Sequence, residues 1–257
     1  SEPTQVIEAH RRDWLASDGI TLALESLDER SRRIVEERWL KVNDDATGGM
    51  TLHELAAEYG VSAERIRDEL SKLLVSPDPS NGLWFLARTG LSDRFLPELN
   101  SMELEQDPIH HHKDVLAHTI AVVVNTDPDD LVVRLAALFH DVGKPRTRGY
   151  QKGKGVTFHH HDAVGARMTR KRLDALRYGN DDIESITELV ALHLRFHTYA
   201  LGWTDSAVRR YVRDAGPLLH ELNVLTRCDC TTRNERKAVM LAKRMDDLEA
   251  RIAELAA

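Results

Sequence analysis

A histidine next to an aspartate, at the end of an apolar run, is the first feature of this sequence that indicates chemistry. The pair is His140-Asp141 in "LAALFHDVGKPRTRG", and Gly143 follows where the chain can turn sharply. Successive side chains of a regular helix differ in direction by ~100°, so both can enter one pocket only near a helix end. We therefore expect a helix to end here with both side chains in one pocket.

Four more histidine and aspartate residues lie within or at the edge of predicted helices, in apolar contexts such as "VLAHTI", "LVALHL" and "LTRCDC". They are His118, His161, His193 and Asp229. Mixed imidazole and carboxylate ligands suit a divalent transition metal or Mg²⁺, and a carboxylate can bridge two ions. We predict a divalent metal site and leave open which ion, Mg, Mn, Ni or Co, it takes.

The order His, then His-Asp, then Asp resembles the HD phosphohydrolase superfamily, which is built on a helical bundle. The resemblance implies that His118, His140, Asp141 and Asp229 hold a first metal, and that His161 and His193 add ligands in two-metal members. It also implies a hydrolase in which an ion activates water for attack on phosphorus. Asp141 is then catalytic. Lys144 is a second catalytic candidate, because it could neutralise a substrate phosphate, and a solvated loop lysine is the alternative.

The elements that must position these residues are nearly all helices, so we predict an all-α fold. Apolar spacing predicts helices near 82–89, 113–125, 129–142, 162–178, 181–197, 204–213, 216–228 and 234–256. One weak strand is predicted at "GVTF", after a loop "KPRTRGYQKGKG". Nearer the N-terminus, Ser62 should cap a helix with an apolar stripe of Ile66, Leu70, Leu73 and Leu74, and prolines should end it.

The first part of the chain indicates a helix-turn-helix. "LDERSRRIVEERWL" and "TLHELAAEYGVSAERIR" resemble region four of bacterial sigma factors of the heat-shock type, over about residues 20–67. This resemblance implies that Arg65 and Arg67 contact DNA, with RNA polymerase or promoter DNA as partners. Asp68 and Glu69 follow directly and would repel a phosphate backbone. A helical packing module is therefore the alternative.

From about Glu64 onward a second resemblance begins. "ERIRDELSKLLVSPDPSNGLWFLARTGL", "EQDPIHHHKDVLAHT", "GVTFHHHDAVGARM" and "ELNVLTRCDCTTRNERK" are similar to the C-terminal part of actinobacterial CCA-adding tRNA nucleotidyltransferases. The resemblance implies a helical neck and body that hold tRNA, then an HD domain with cyclic phosphodiesterase or phosphatase activity. Its expected partners are tRNA, RNA 3′ ends and nucleotides. No Gly-Gly-x-x-Arg-Asp element precedes residue 64, so we expect no nucleotide addition by this chain as given.

These resemblances divide the chain into a sigma-like segment (1–67), a neck and body connector (68–105) and an HD metal domain (106–257). The two resemblances share "ERIR", and the join could be a natural fusion, an engineered chimera or an artefact. The basic residues Arg227, Arg233, Arg236 and Lys237 near the C-terminus are candidates for binding RNA phosphate. A solvated helix face is the alternative for them.

Charge and composition narrow the function classes. The net charge is −7, and residues 1–75 carry 10 basic and 16 acidic side chains, which argues against strong independent DNA binding. The longest apolar run, "TIAVVV", is too short to span a bilayer. Cys228 and Cys230 are too close for an unstrained disulfide, so we expect reduced thiols in a cytoplasmic protein.

Three hypotheses follow. The first is a metal-dependent phosphohydrolase that acts on phosphoesters or cyclic phosphates at RNA ends or nucleotides, as the C-terminal part of a CCA-adding enzyme-like protein. The second is a sigma-like regulator that binds DNA or RNA polymerase. The third is a scaffold that binds tRNA and has a silent HD site.

Overall fold

The computed structural model describes residues 62–104, 114–152, 155–198, 203–230 and 235–256. The sigma-like segment up to residue 61 and the candidate Arg233 lie outside these ranges. Within them the secondary structure is helical except for one short hairpin. The prediction of an all-α fold is confirmed.

The described helices are numbered in chain order. They are α1 (Ala63–Leu74), α2 (Ser80–Arg88), α3 (Pro97–Ser101), α4 (Val115–Asn125), α5 (Leu131–Phe139), α6 (Lys144–Thr147), α7 (His161–Ala175), α8 (Asn180–Leu192), α9 (Asp205–Ala215), α10 (Leu219–Asp229) and α11 (Glu235–Ala256). Short 3₁₀ turns at Leu91–Arg94, Phe196–Thr198 and Gly216–Leu218 connect some of them. The strands are β1 (Arg148–Gln151) and β2 (Gly155–Phe158).

Side-chain caps explain where several helices begin. Ser62, Asp114, Asp130 and Thr204 each accept a hydrogen bond from the backbone N–H three residues further on. Such caps satisfy N–H groups that the first helical turn leaves unpaired. The predicted cap at Ser62 is confirmed, and α1 ends at Leu74, before the two prolines.

A bundle of α4, α5, α7, α8 and α10 forms the core that holds the predicted metal ligands. Helix α5 lies at its centre, packed against α4, α8 and α10, and α7 packs along α8. All nine α5 residues except the first two are buried. This apolar burial is the main stabilising contribution to the bundle. Of the helices in the described ranges, none has the length and apolar content that crossing a membrane requires.

The segment after the His-Asp pair differs from its prediction as a loop. Helix α6 makes one turn, and β1 then pairs with β2 in an antiparallel hairpin, with Arg148 opposite Phe158 and Tyr150 opposite Val156. The loop prediction was wrong for these residues because glycines and charges, which are typical of loops, obscured a strand whose pairing partner is close in sequence.

Helix α1 is continuous across the join between the two resemblances. Its apolar stripe faces the bundle, with Leu70 and Leu74 buried. The fully buried Arg134 of α5 donates hydrogen bonds to the carbonyl oxygens of Leu74, Ser76 and Thr126. The guanidinium thereby satisfies carbonyls at and just after the end of α1 and fixes that helix to the bundle.

Candidate metal centre

The structure brings all six predicted metal ligands into one cluster. The residues lie on or beside five helices: His118 in α4, His140 and Asp141 directly after α5, His161 at the start of α7, His193 directly after α8, and Asp229 at the end of α10. Helix ends thus supply five of the six. This is the arrangement that an adjacent His-Asp pair requires if both side chains are to enter one pocket.

Three of the histidines are held by the same local hydrogen bond. In each, Nδ1 lies 2.6–2.7 Å from the backbone carbonyl oxygen three residues earlier. The pairs are His140 with Ala137, His161 with Phe158, and His193 with Val190. Two of these carbonyls are among those that a helix leaves unpaired in its last turn. A neutral ring that donates through Nδ1 presents the lone pair of Nε2 to the cluster, as a metal ligand must.

His118, His140 and Asp229 form a group that we call the outer triad. The Nε2 atom of His118 lies 2.9 Å from Asp229 Oδ1 and 3.3 Å from His140 Nε2. His140 is buried, whereas the side chains of His118 and Asp229 are 14% and 13% exposed. The outer triad therefore reaches solvent, and its ligand atoms already contact one another.

Asp141, His161 and His193 form the inner triad, whose members are all buried. Asp141 Oδ1 lies 3.4 Å from His161 Nε2 and 4.0 Å from His193 Nε2. Neither Nε2 atom has a hydrogen-bond partner among the described residues. A buried polar atom without a partner costs about 1–3 kcal/mol, so two such atoms facing one carboxylate indicate a missing ligand.

Asp141 connects the two triads. Its Oδ2 atom lies 3.2 Å from His140 Nε2 and 3.7 Å from His118 Nε2, while Oδ1 faces the inner triad. Lys144 approaches the same carboxylate, with Nζ 2.7 Å from Oδ2. One carboxylate that presents an oxygen to each group of ligands has the form of a bridging ligand.

The electrostatics of the cluster favour cation binding. Burial opposes the ionisation of Asp141, yet the charges of His140 and Lys144 hold the pKa of its carboxyl well below the usual range. Burial likewise opposes the ionisation of Asp229, but the hydrogen bond with His118 and the nearby ring of His197 hold its pKa low as well. For His140, burial alone would lower the pKa, but the two aspartates raise it to about 9.

The pKa of His193 shifts in the opposite direction from that of His140. Burial, followed by repulsion from His140, lowers the pKa of His193 to about 4. Its imidazole is therefore neutral at neutral pH, with Nε2 as a free donor of an electron pair. The ionised carboxylates of Asp141 and Asp229, the neutral imidazole of His193 and the partnerless Nε2 atoms of the inner triad together fit one or two divalent ions.

One residue beside the cluster was not singled out from the sequence. His197 follows His193 by four residues, and its Nε2 lies 3.7 Å from Asp229 Oδ2 on the exposed side of the outer triad. Its spacing of about one helical turn from a predicted ligand was the signal that could have identified it.

The basic residues that were predicted to bind RNA phosphate differ in their contacts within the protein. Arg227 Nη2 is held by Asp246 at 2.7 Å and by Glu249 at 2.6 Å, so its guanidinium is engaged within the protein. Arg236 and Lys237 are exposed at the start of α11. This arrangement does not favour Arg227 as a phosphate contact.

The two arginines predicted to contact DNA also differ. Arg65 is exposed on α1, whereas Arg67 donates to Asp68 and, at 2.6 Å, to the carbonyl oxygen of Arg177. Asp68 and Glu69 are exposed beside them. A helix that reads DNA needs free cationic groups on that face, and the engagement of Arg67 within the protein removes one of the two predicted.

Cys228 and Cys230 are both free thiols. Burial and, next, the charge of Asp229 raise the pKa of Cys228 to about 11. Burial has the same effect on Cys230. Protonated, half-buried thiols of this kind are poor nucleophiles at neutral pH.

Comparison with protein families agrees with the geometry of the cluster. Residues 109–256, more than half of the chain, match the HD domain family. The chain belongs to the HD domain family. HD domains form a superfamily of metal-dependent phosphohydrolases, and all six residues of the two triads lie within the matched range.

Two further family models match outside the HD domain. Residues 60–103, which include α1 to α3, match "Probable RNA and SrmB- binding site of polymerase A". Residues 23–74 match "Sigma-70, region 4". The two matches overlap in α1, where the two resemblances share "ERIR".

The relatives of this HD domain protein include enzymes of tRNA maturation. It is 38% identical over 171 residues to an A-adding tRNA nucleotidyltransferase of Deinococcus radiodurans, covering 65% of this chain and 38% of that protein. It is 36% identical over 193 residues to a CC-adding tRNA nucleotidyltransferase of Thermus thermophilus, covering 72% of this chain and 43% of that protein. The chain therefore spans about two fifths of the length of these relatives.

Proposed function

We propose that this chain hydrolyses phosphoester bonds at RNA 3′ ends, with cyclic 2′,3′-phosphates as the preferred class of substrate. The observation that carries the proposal is the inner triad, in which the buried Nε2 atoms of His161 and His193 face Asp141 without hydrogen-bond partners. A bound cation would satisfy both lone pairs and the carboxylate at once.

The two triads have different roles in the reaction. His161 and His193 hold their Nε2 atoms in place through backbone carbonyls, and Asp141 presents one oxygen to each triad. His118 and Asp229 lie on the more exposed side, where a substrate can enter. These ligands would hold a divalent ion, which would supply Lewis acidity toward the phosphoryl group and its attacking water.

Lys144 supplies a positive charge beside the reacting phosphate. Its ammonium group contacts Asp141 Oδ2 and is only partly exposed, so a phosphate oxygen that enters the cluster meets it directly. In the hydrolysis, a bond forms between the oxygen of water and phosphorus. The bond from phosphorus to one ribose oxygen breaks, and that oxygen takes up a proton. The product is a phosphomonoester.

RNA is the proposed carrier of the phosphate because two findings support it. Residues 60–103 match an RNA-binding region, and the relatives named above are tRNA nucleotidyltransferases. Arg134 fixes the end of α1, which belongs to that region, to α5, which leads into the His140-Asp141 pair. RNA held by the first region would therefore be kept in a fixed relation to the metal cluster.

The test combines metal analysis with hydrolysis of 2′,3′-cyclic AMP. Purified protein should contain a divalent metal and open the cyclic phosphate, whereas Asp141→Ala should lose both properties. Glu188→Gln, which changes an exposed carboxylate of α8, is the matched control and should behave as wild type. A wild-type protein that binds none of Mg, Mn, Ni or Co and hydrolyses nothing would refute the proposal and leave the silent tRNA-binding scaffold and the sigma-like regulator.

A second candidate function is binding of promoter DNA or RNA polymerase through the N-terminal segment. The match of residues 23–74 to sigma-70 region 4 favours it, whereas the engagement of Arg67 with Asp68 weighs against it. Binding to a −35-type duplex should fall steeply with salt if this candidate holds. Arg65→Gln should then weaken binding while leaving hydrolysis intact.

A further inference from the structure

The hairpin between the metal ligands Asp141 and His161 is basic, exposed and without an assigned role. Between Val142 and His161 the sequence has no Asp or Glu, although the whole chain has a net charge of −7. Arg146, Arg148 and Lys152 are exposed, and among the described residues none offers them an ion pair. Such a local excess of positive charge attracts a polyanion.

An aromatic side chain stands among these cations. Tyr150 is 78% exposed at the centre of β1, the largest exposure among the large apolar side chains of the described residues. Burial of the ring inside this chain therefore does not explain its presence. Exposed aromatic rings flanked by cations are the platforms on which proteins stack the bases of single-stranded nucleic acids.

The strand register places this ring in line with the metal cluster. Residues directly opposite in an antiparallel pair share a face, so Arg148 shares a face with Phe158 and Tyr150 with Val156. Arg148 and Tyr150 are two residues apart on one strand and thus lie on the same face. One face of the hairpin therefore carries Tyr150, then Arg148, and then Phe158 opposite Arg148.

The inner end of that face touches the site. Lys144 Nζ lies 5.7 Å from the centre of the Phe158 ring and 2.7 Å from Asp141 Oδ2. The carbonyl oxygen of Phe158 accepts the hydrogen bond that orients His161. The face thus runs outward from the metal cluster, and Tyr150 lies about 7 Å beyond Arg148 along β1.

We infer that the β1–β2 hairpin docks the nucleotides next to the scissile phosphate of single-stranded RNA, with a base stacked on Tyr150 and phosphates at Arg148 and Arg146. This inference rests on the proposed function, because it deepens the substrate of the same site. It predicts that the chain prefers an RNA strand to a mononucleotide, since a mononucleotide at the metal cluster does not extend to Tyr150.

The first measurement is direct binding, which does not depend on hydrolysis. The full chain is titrated against a labelled single-stranded RNA of about eight nucleotides, with fluorescence anisotropy as the readout. Tyr150→Ala should weaken binding about tenfold, and Tyr150→Phe should restore most of it. Arg148→Gln should reduce the slope of log affinity against log salt by about 0.7.

Matched controls separate the hairpin from general charge. Arg209→Gln and Arg210→Gln remove exposed cations of α9 and should leave both affinity and salt slope close to wild type. Wild-type affinity in Tyr150→Ala would overturn the inference. Tight binding of poly-glutamate that also depends on Tyr150 would overturn the assignment to RNA.

The second measurement compares two substrates of hydrolysis. In Tyr150→Ala the KM for the RNA strand ending in a 2′,3′-cyclic phosphate should rise about tenfold more than the KM for 2′,3′-cyclic AMP. An equal change for both substrates would contradict docking on the hairpin and leave the hydrolase proposal standing. A wild type that hydrolyses neither substrate but binds RNA through Tyr150 would refute the hydrolase proposal and support the hairpin.

Discussion

The two triads of the metal centre use the same kinds of ligand but are built differently. In the outer triad, His118, His140 and Asp229 contact one another at 2.9–3.6 Å, and the group is partly open to solvent. In the inner triad all three residues are buried, and both histidine Nε2 atoms lack hydrogen-bond partners. The difference indicates that the inner triad depends on a bound ion, whereas the outer triad can remain formed without one.

A buried group that lacks a partner also identifies where metal would stabilise the fold. Leaving the inner nitrogen atoms unpaired costs free energy in the metal-free protein, and that cost is relieved on binding. The outer triad has little such cost to relieve, because its members already form hydrogen bonds and because water reaches it. The four predictions below test this contrast, beginning with the residue that serves both triads.

Asp141→Asn should have the largest effect, because this carboxylate faces both triads. Loss of a charged ligand from each group should remove several kcal/mol of transition-state stabilisation, which corresponds to at least about a thousandfold loss of kcat. Metal analysis and hydrolysis of 2′,3′-cyclic AMP are the measurements, with Glu188→Gln as control. A variant that keeps half of its metal and most of its activity would show that Asp141 does not connect the triads.

Removal of one histidine from each triad should separate their roles. Saturation with Mn²⁺ at about a hundred times its Kd should stabilise wild type by about 2.7 kcal/mol, which is a rise in Tm of about 5–10 °C. His193→Gln should abolish most of this rise because the inner triad loses a buried ligand. His118→Gln should retain most of it.

The measurement is thermal unfolding with and without EDTA. Equal loss of the metal-dependent rise in both variants would contradict the contrast between the triads. So would a larger loss in His118→Gln than in His193→Gln.

The sequence predicted more of this centre than of its surroundings, for a physical reason. Ligand types are constrained by chemistry, so the six histidine and aspartate residues could be selected from their kind, their apolar flanks and a family resemblance. The presence of most helices could be predicted from the periodic spacing of apolar residues. The partners of Arg134 and Arg227 depend on contacts between residues 8–60 positions apart in the chain, which periodicity does not encode.

The same limit applies to the hairpin and to His197. Strand β1 contains glycine, arginine and glutamine, so its local composition indicates a loop, and only its pairing with β2 makes it a strand. His197 has only its spacing from His193 as a sequence signal, and its approach to Asp229 depends on how α8 and α10 pack. Tertiary packing, rather than local preference, determined both features.

Gly143→Ala should perturb the inner triad without changing any ligand. A Cβ at this position would lie 2.1 Å from the carbonyl oxygen of His161 and 2.8 Å from the backbone nitrogen of Gly165, so the start of α7 must shift. We expect a loss of about 1–3 kcal/mol in the free energy of unfolding, and a loss of 10–100-fold in metal affinity from the displaced ligand.

The matched control for that variant is Gly179→Ala, where the new Cβ would meet its nearest neighbour at an ordinary 3.6 Å. It should change the stability by no more than about 0.5 kcal/mol. Chemical denaturation and metal titration of both variants are the measurements. Wild-type metal affinity in Gly143→Ala would show that the start of α7 tolerates displacement and that the inner triad is less rigid than its burial indicates.

His197→Gln should have the smallest effect, and it tests the outer triad alone. His197 approaches the Asp229 oxygen that is not hydrogen-bonded to His118, and its side chain is 39% exposed. Because this contact positions a ligand and supplies none, we expect a loss of about tenfold in hydrolysis, while the rise in Tm with Mn²⁺ stays close to that of wild type.

His220→Gln, which changes an exposed histidine of α10, is the control and should match wild type in both measurements. A collapse of the metal-dependent rise in His197→Gln would mean that the two triads do not bind metal independently, because a change at the rim of the outer triad would then empty the inner one.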